Sequence, residues 1–403
     1  MKSYKEVLGK IMAPVMTGKQ ALFAAVVTEH GQYMAGLKSE LFYNDADVHV
    51  EVCCLIAEYY GLIASTSWDY YNFEAEAMGQ RVKYAAAGLP DIDQTDPLIK
   101  SEADLDKIKW PGNPLKSGRV PVYVRSLELM EKYTGMPTTL WLAACSPFSI
   151  ACGICSYAGL MGFIKHKPEL AHEILRRIVD DITVPYLKAI AEKYPGIMVK
   201  FADAWEMVPN VSPKIQQEYA FQYYDRVIEA AKDINVDVSW YCAYSEKNFP
   251  DPAAYLADKL KYAREIMITG TETDVVPVSV YRDVAIEKSV PLTVNVPADR
   301  IFDGPPEAIV EFVRQLAKES RPGVAQYSMA ALVPYSAPPE HVAAVVAAGK
   351  AFCALPVPED FDAIKVEIPE LKESFGDFVR RKHKENPDGY TFKWLDKAKF
   401  YGE

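Results

Sequence analysis

The sequence predicts an α/β protein: a (β/α)8 TIM barrel with an N-terminal helical elaboration and a C-terminal tail, in one domain spanning residues 1–403. Three observations predict it. Eight short β-type runs alternate with stretches of helical periodicity along most of the chain, the pattern of repeated βα units. Most of the runs stop in polar or aromatic loops, where barrels and doubly wound sheets keep their ligands. No Gly-rich phosphate loop follows the early runs, so the strongest signature of the rival doubly wound sheet is missing.

In order, residues 1–20 read as a helical lead-in, and Ala21–Val27 as a first strand ending in Thr28-Glu29-His30-Gly31. Asp45–Tyr60 has helical periodicity. Gly61–Ser67 is a second β-run, ending at Trp68-Asp69-Tyr70-Tyr71, and Glu74–Ala87 is expected to be helical. Residues 88–122 mix Pro, Gly and charge with recurring apolar residues, which marks a surface excursion rather than a linker. A helix begins at Leu127–Tyr133, Thr138–Ala144 is the third strand, and Ile164–Ala191 is helical. The clearest βαβ unit is 196–246. Strand 197–202 ends in Asp203-Ala204-Trp205-Glu206. Ser212 takes the N-cap, Pro213 the first helical position, and Ile215, Tyr219, Tyr223, Val227 and Ala230 repeat at helical spacing before strand Val236–Cys242. Ile266–Gly270, Leu292–Val296 and Val324–Met329 complete the eight. An amphipathic segment at Tyr281–Lys288 and helices at Pro305–Lys318 and Pro338–Cys353 lie among them. Residues 356–403 form a polar tail expected to pack across the outside.

Composition narrows the functional classes. A formal charge of −11 lacks the clustered basic footprint of a nucleic-acid binder. No apolar run approaches the ~18 residues of a membrane span, and the start MKSYKEVLGK has no signal-peptide core; a cytoplasmic protein without membrane or nucleic-acid partners is expected. Seven cysteines in so long a chain read as reduced thiols. Cys152 and Cys155, near Cys145, are explained more cheaply as core residues one helical turn apart than as a redox or metal pair.

Several stretches stand in a fixed order: Ala77-Met78-Gly79, Pro90-Asp91, Ser101–Ile108 with Gly118-Arg119-Val120-Pro121 behind it, Ser146-Pro147-Phe148-Ser149-Ile150-Ala151, Asp203 with Ser212-Pro213, and Asp303-Gly304-Pro305-Pro306-Glu307. They resemble the uroporphyrinogen decarboxylase superfamily and, within it, the corrinoid-dependent methyltransferases. Their order from about Glu74 to Phe352 carries the resemblance. Two departures refine it. The decarboxylases hold substrate carboxylates on an Arg-rich first loop, but Val27-Thr28-Glu29-His30-Gly31 has no arginine, so a porphyrinogen substrate is not expected. The thiol-methylating branch carries zinc on His-x-Cys plus a later Cys. Here the first motif reads Trp240-Tyr241-Cys242 and the later position falls at Ala330 or Ala331, leaving Cys242 as the only candidate metal ligand and zinc open.

The resemblance thus implies a methyltransferase that takes a methyl group from a methoxylated aromatic and passes it to the Co(I) corrinoid (cobalamin) of a partner protein, an O-demethylase component. The alternatives are transfer from a methyl-corrinoid protein to a thiol or pterin, and a non-catalytic corrinoid-binding barrel. A homodimer is left open. Cleaving an aryl ether calls for an acid at the departing oxygen and aromatic walls for the ring. The candidate catalytic residues are Asp203, His30, Glu29 and Glu272. Trp68, Tyr70, Trp205, Trp240, Tyr244 and Asn295 are the candidate substrate-binding residues.

Overall fold

The computed structural model describes residues 4–65, 72–136 and 141–402. Among the described residues the nine strands are β1 (Leu22–Val26), β2 (Val82–Lys83), β3 (Asp91–Ile92), β4 (Trp141–Cys145), β5 (Met198–Ala202), β6 (Asp237–Trp240), β7 (Ile266–Ile268), β8 (Leu292–Val296) and β9 (Tyr327–Leu332). All but β2 and β3 run parallel, in two arcs ordered β4-β5-β6 and β1-β9-β8-β7. The fold is TIM-barrel-like. Between the arcs, β6 stops at Trp240 because Ala243 turns into the left-handed region (φ 72°). The Thr269 N–H then reaches the Ala243 carbonyl at 3.1 Å and links the ends of β6 and β7.

Three sequence expectations change. The run at Gly61–Ser67 is not a strand over 61–65, and its last two residues lie outside the described residues. In place of a ladder, the Tyr4 hydroxyl accepts from Ala64 N–H (2.8 Å) and donates to the Leu62 carbonyl (2.6 Å), so the N-terminal helix Tyr4–Met16 pins this stretch. The helix expected over Glu74–Ala87 is only Phe73–Ala77. Gly79 at φ 108° ends it, and β2 pairs antiparallel with β3. The last strand is shifted to Tyr327–Leu332, because Gly323 at φ 82° still belongs to the turn that closes helix Pro306–Ser320.

The two faces of the sheet differ in a way that positions the site. Register pairs Leu22, Ala24 and Val26 with Ser328, Ala330 and Leu332, and all six are half-buried. The alternating set, Phe23, Ala25, Met329 and Ala331, is dry. Phe23 lies so close to Gly349 of helix Pro339–Phe352 that a Cβ there would fall 2.0 Å from the ring, so the dry face is the helix-facing one. The half-open set therefore lines the barrel axis. Lower in the lumen, a polar layer crosses the arcs. Lys200 is ion-paired to Glu265, Glu265 accepts from the Thr293 hydroxyl (3.3 Å), and Thr293 shares a 2.6 Å hydrogen bond with Ser328.

The C-terminal tail packs on helix Ala46–Tyr60, whose start is capped by the Asp45 carboxylate accepting from Asp47 and Val48 N–H. Buried Glu51 of that helix accepts from Thr391 N–H (2.6 Å), Phe392 N–H (3.0 Å) and Trp394 Nε1–H (3.0 Å). Lys382 pairs with Glu58 at 2.7 Å. Glu51→Ala leaves these donors buried without an acceptor and is expected to cost about 2–4 kcal/mol of unfolding free energy. Chemical denaturation measures the loss, and limited proteolysis should cut the variant first within the tail.

Candidate active site

The strand ends of β5, β6 and β7 carry the densest buried charge in the described barrel. Asp203 follows β5 directly and is 1% exposed. Tyr244, from the loop after β6, donates its hydroxyl to Asp203 Oδ1, and the Tyr224 hydroxyl lies 3.5 Å from Oδ2. Tyr224 comes from helix Gln222–Ala231, the last part of a helical run whose first turn, Pro213–Ile215, Ser212 caps by accepting from Ile215 N–H, as its position predicts. Three residues past Asp203, Glu206 is wholly buried and accepts three hydroxyls: Tyr224 at 2.8 Å, Ser149 at 2.9 Å, and Ser146. Both serines belong to the Ser146-Pro147-Phe148-Ser149 turn that opens helix Pro147–Cys155.

These contacts decide where the charge sits. Burial pushes the Asp203 carboxyl well above its ordinary range; the Lys259 ammonium works against this and the neighbouring Glu206 adds to it. Burial also raises Glu206, but its three hydroxyl donors favour the ionised form. Of these two carboxyls bridged by one tyrosine, Asp203 is the poorer in donors, so the protonated form is favoured there. Lys259, at the end of helix Pro252–Lys259, is 3% exposed. Burial disfavours its charge, yet Glu246, Cys242 and Asp203 around it hold its pKa above the usual lysine value. Its Nζ lies 4.0 Å from Glu246 Oε1 and 4.6 Å from the centre of the Tyr244 ring. After β7, Glu272 accepts from Lys247 N–H at 3.0 Å and lies 3.5 Å from that ammonium, and burial raises its carboxyl.

The remaining sequence candidates divide. Asn295 faces the lumen in β8 and donates to the Ile268 carbonyl at 2.6 Å, tying β7 to β8. Trp205 is 39% exposed beside Asp203 and packs on Tyr157 with ring centres 5.6 Å apart. Trp68 and Tyr70 lie outside the described residues. Glu29 belongs to the other arc, in helix Thr28–Met34, and accepts from the Tyr43 hydroxyl.

Two expectations are corrected. Trp240 is no wall of the lumen. It points outward, stacked between Phe201 (4.7 Å) and Tyr224 (4.4 Å), because odd and even residues of β6 face opposite sides. His30 does not sit as an open acid. It is fully buried, with Nδ1 3.1 Å from the Tyr335 carbonyl and Nε2 2.9 Å from the Tyr60 hydroxyl, and burial lowers its pKa to about 4. With its pKa lowered this far, the imidazole holds only its weakly acidic ring N–H at neutral pH and lacks the imidazolium proton a general acid would give.

Cys242 lies among Lys259, Glu246 and Asp203, and burial pushes its thiol up to about 12, so it is not a ready thiolate ligand. Among the described residues no three His, Cys, Asp or Glu side chains are placed to hold a metal ion. With Trp240 turned outward and Ala330 on the lumen face, these residues do not fit a zinc site, and no step is derived through zinc.

Glu206, Lys259 and Glu74 are site residues that the sequence reading passed over. Glu74 accepts from Cys145 N–H at 2.8 Å at the end of β4, and burial lifts its carboxyl to about 7. The usable signal for Glu206 was the pair Asp-x-x-Glu behind one strand and Ser-x-x-Ser behind its neighbour.

A TIM-barrel-like fold with a buried acid network at its strand ends has its polar cluster where barrels carry their ligand chemistry. The chain belongs to the uroporphyrinogen decarboxylase (URO-D) family, whose model matches residues 12–352. Among solved structures it is similar to a methyltransferase from Methanosarcina mazei, with 18% identity and a TM-score of 0.65, covering 88% of this chain and 100% of that one. That likeness shows the fold. No curated protein matches the chain. No single helix among the described residues is long and apolar enough to cross a membrane.

His30 also predicts a pH dependence. Its pKa is lowered in the fold from 6.5 to about 4, so on acidification the unfolded chain binds the proton first. Its contribution is complete above about pH 6.5 and is lost as pH falls towards 4, about 3 kcal/mol in all. Unfolding free energies measured across that window should fall less steeply for His30→Gln than for wild type.

Proposed function

We propose that the protein is a methyltransferase that takes the methyl group of a methoxylated aromatic and delivers it to the Co(I) corrinoid of a partner protein. The observation that carries this reading is Asp203: a buried carboxyl at a strand end, whose protonated form burial and the neighbouring Glu206 favour. Family membership and the similar fold of the M. mazei methyltransferase support it.

In this reading the ring sits in the lumen against Val26, Leu332 and the Tyr244 side, with Trp205 at the rim. The methyl–oxygen bond breaks as the corrinoid, the second substrate, receives the methyl group with its own electron pair. The bonding pair stays on the ether oxygen, which takes the Asp203 proton and leaves as a neutral phenol. Lys259 stabilises the carboxylate that remains on Asp203, while Glu246 balances the ammonium before the reaction. Methyl transfer from a corrinoid to a thiol is the less supported direction, because the described residues offer a carboxyl biased towards its protonated form and no set of three His, Cys, Asp or Glu ligands to ionise a thiol.

The test is single-turnover methylation of a Co(I) corrinoid protein with a panel of methoxyarenes, followed by the absorbance of the methyl-cobalt product. Wild type should methylate the corrinoid from at least one donor. Asp203→Asn should be slower by about 10²–10⁴ with a poor leaving group, and by much less with a ring bearing electron-withdrawing groups. Equal slowing with both kinds of donor would reduce Asp203 to a residue that shapes the pocket.

A further inference from the structure

We propose that Glu206 is a positioning residue that keeps the proton of the pair on Asp203, by standing as the fixed negative partner across Tyr224. The proposal rests on the reading of Asp203 as the acid and extends it to a residue that touches no substrate.

The geometry carries it. Glu206 has no exposed surface, and both of its oxygens are engaged: Oε1 by Tyr224 (2.8 Å) and Ser146, Oε2 by Ser149 (2.9 Å). Each of these partners is a hydroxyl, and a hydroxyl that donates to a carboxylate favours its ionised form. The donors come from three places that the fold holds rigid with respect to one another. Ser146 is the N-cap of helix Pro147–Cys155, Ser149 lies one turn on, and Tyr224 is clamped in the stack with Trp240. The same Tyr224 oxygen is 3.5 Å from Asp203 Oδ2. Asp203 therefore faces a carboxylate that is pre-satisfied and cannot move away.

The other groups facing Asp203 do not replace this role. Tyr244 donates a hydrogen bond, Cys242 is a neutral thiol, and Lys259 favours the ionised form of Asp203. Besides Asp203 and the hydroxyls, Glu206 has the neutral thiol of Cys152 for a neighbour. Of these charged neighbours, Glu206 alone opposes loss of the Asp203 proton. When Asp203 gives its proton to the departing oxygen, Asp203 and Glu206 face each other as carboxylates, with a single lysine that Glu246 already shares. That repulsion drives reprotonation of Asp203 from solvent and resets the acid.

The isosteric variant Glu206→Gln removes the charge and retains an acceptor for the hydroxyls. Its effect is read in two ways. In methyl transfer from a poor-leaving-group methoxyarene, the rate of wild type falls on the alkaline side as Asp203 loses its proton. In Glu206→Gln that limb should move to lower pH by about one unit or more, and in Asp203→Asn it should be absent. Independently of any activity, pH-difference infrared spectra of the full chain should show a protonated-carboxyl band that disappears in Asp203→Asn and titrates at lower pH in Glu206→Gln. Ser149→Ala serves if Glu206→Gln does not fold. Taking one donor from Glu206 shifts the shared proton towards it, so the rate plateau should drop without the limb moving to lower pH.

A Glu206→Gln profile and carboxyl band superimposable on wild type would overturn the proposal. So would a band that survives in Asp203→Asn but vanishes in Glu206→Gln, since the proton would then sit on Glu206. If wild type transfers no methyl group from any donor, the function proposed above fails, and the infrared measurement still decides this point.

Discussion

The constraint on which the structure depends is that each barrel strand must bury one face completely against helices while the other faces a narrow lumen. The outward faces meet it with large apolar residues: Phe23 against Gly349, Phe201 against Trp240, and Trp240 in turn against Tyr224. Burying each such side chain contributes about 1.5–3 kcal/mol, and the outer layer stabilises the fold. The inward face is free of that duty. It carries Ala24, Ala202 and Ala330 beside Lys200, Thr293, Asn295 and Ser328, with Leu22, Val26 and Leu332 half-buried on the same face.

That division sets the electrostatics of the strand ends. A carboxylate taken from water at a barrel mouth is costly unless it is paired or hydrogen-bonded. Each acid here meets the cost differently. Glu206 collects hydroxyls, Glu246 sits by a buried lysine, Glu272 takes a backbone N–H, and Asp203 keeps its proton. Carboxyls a few ångströms apart, Asp203 and Glu206, are thereby biased towards opposite protonation states. This is how one fold supplies an acid and a counter-charge at a single pH.

Much of this was legible in the chain. Short β-runs between helical periods locate seven of the eight expected strands, because period 2 and period 3.6 are properties of local sequence. The Ser212-Pro213 cap and the Asp45 cap follow from the same local chemistry. Asp203 was legible because it stands directly behind a β-run, and the family from the order of its motifs. The hairpin at 82–92 was missed because Gly79 at positive φ breaks a pattern that otherwise reads as helix.

The sequence by itself determined the alternation, the caps and the acid at the strand end, since each needs only neighbours along the chain. Tertiary structure alone decided which face Trp240 shows, because that depends on the strand's orientation in the closed arc rather than on its aromatic character. It also decided that His30 is neutral, through a carbonyl 305 positions away at Tyr335 and a desolvation no local pattern records. The same holds for the proton on Asp203. It depends on Ser146 and Ser149 from one strand end, Tyr224 from a later helix and Lys259 from another, brought within hydrogen-bonding or Coulombic reach only when the barrel forms.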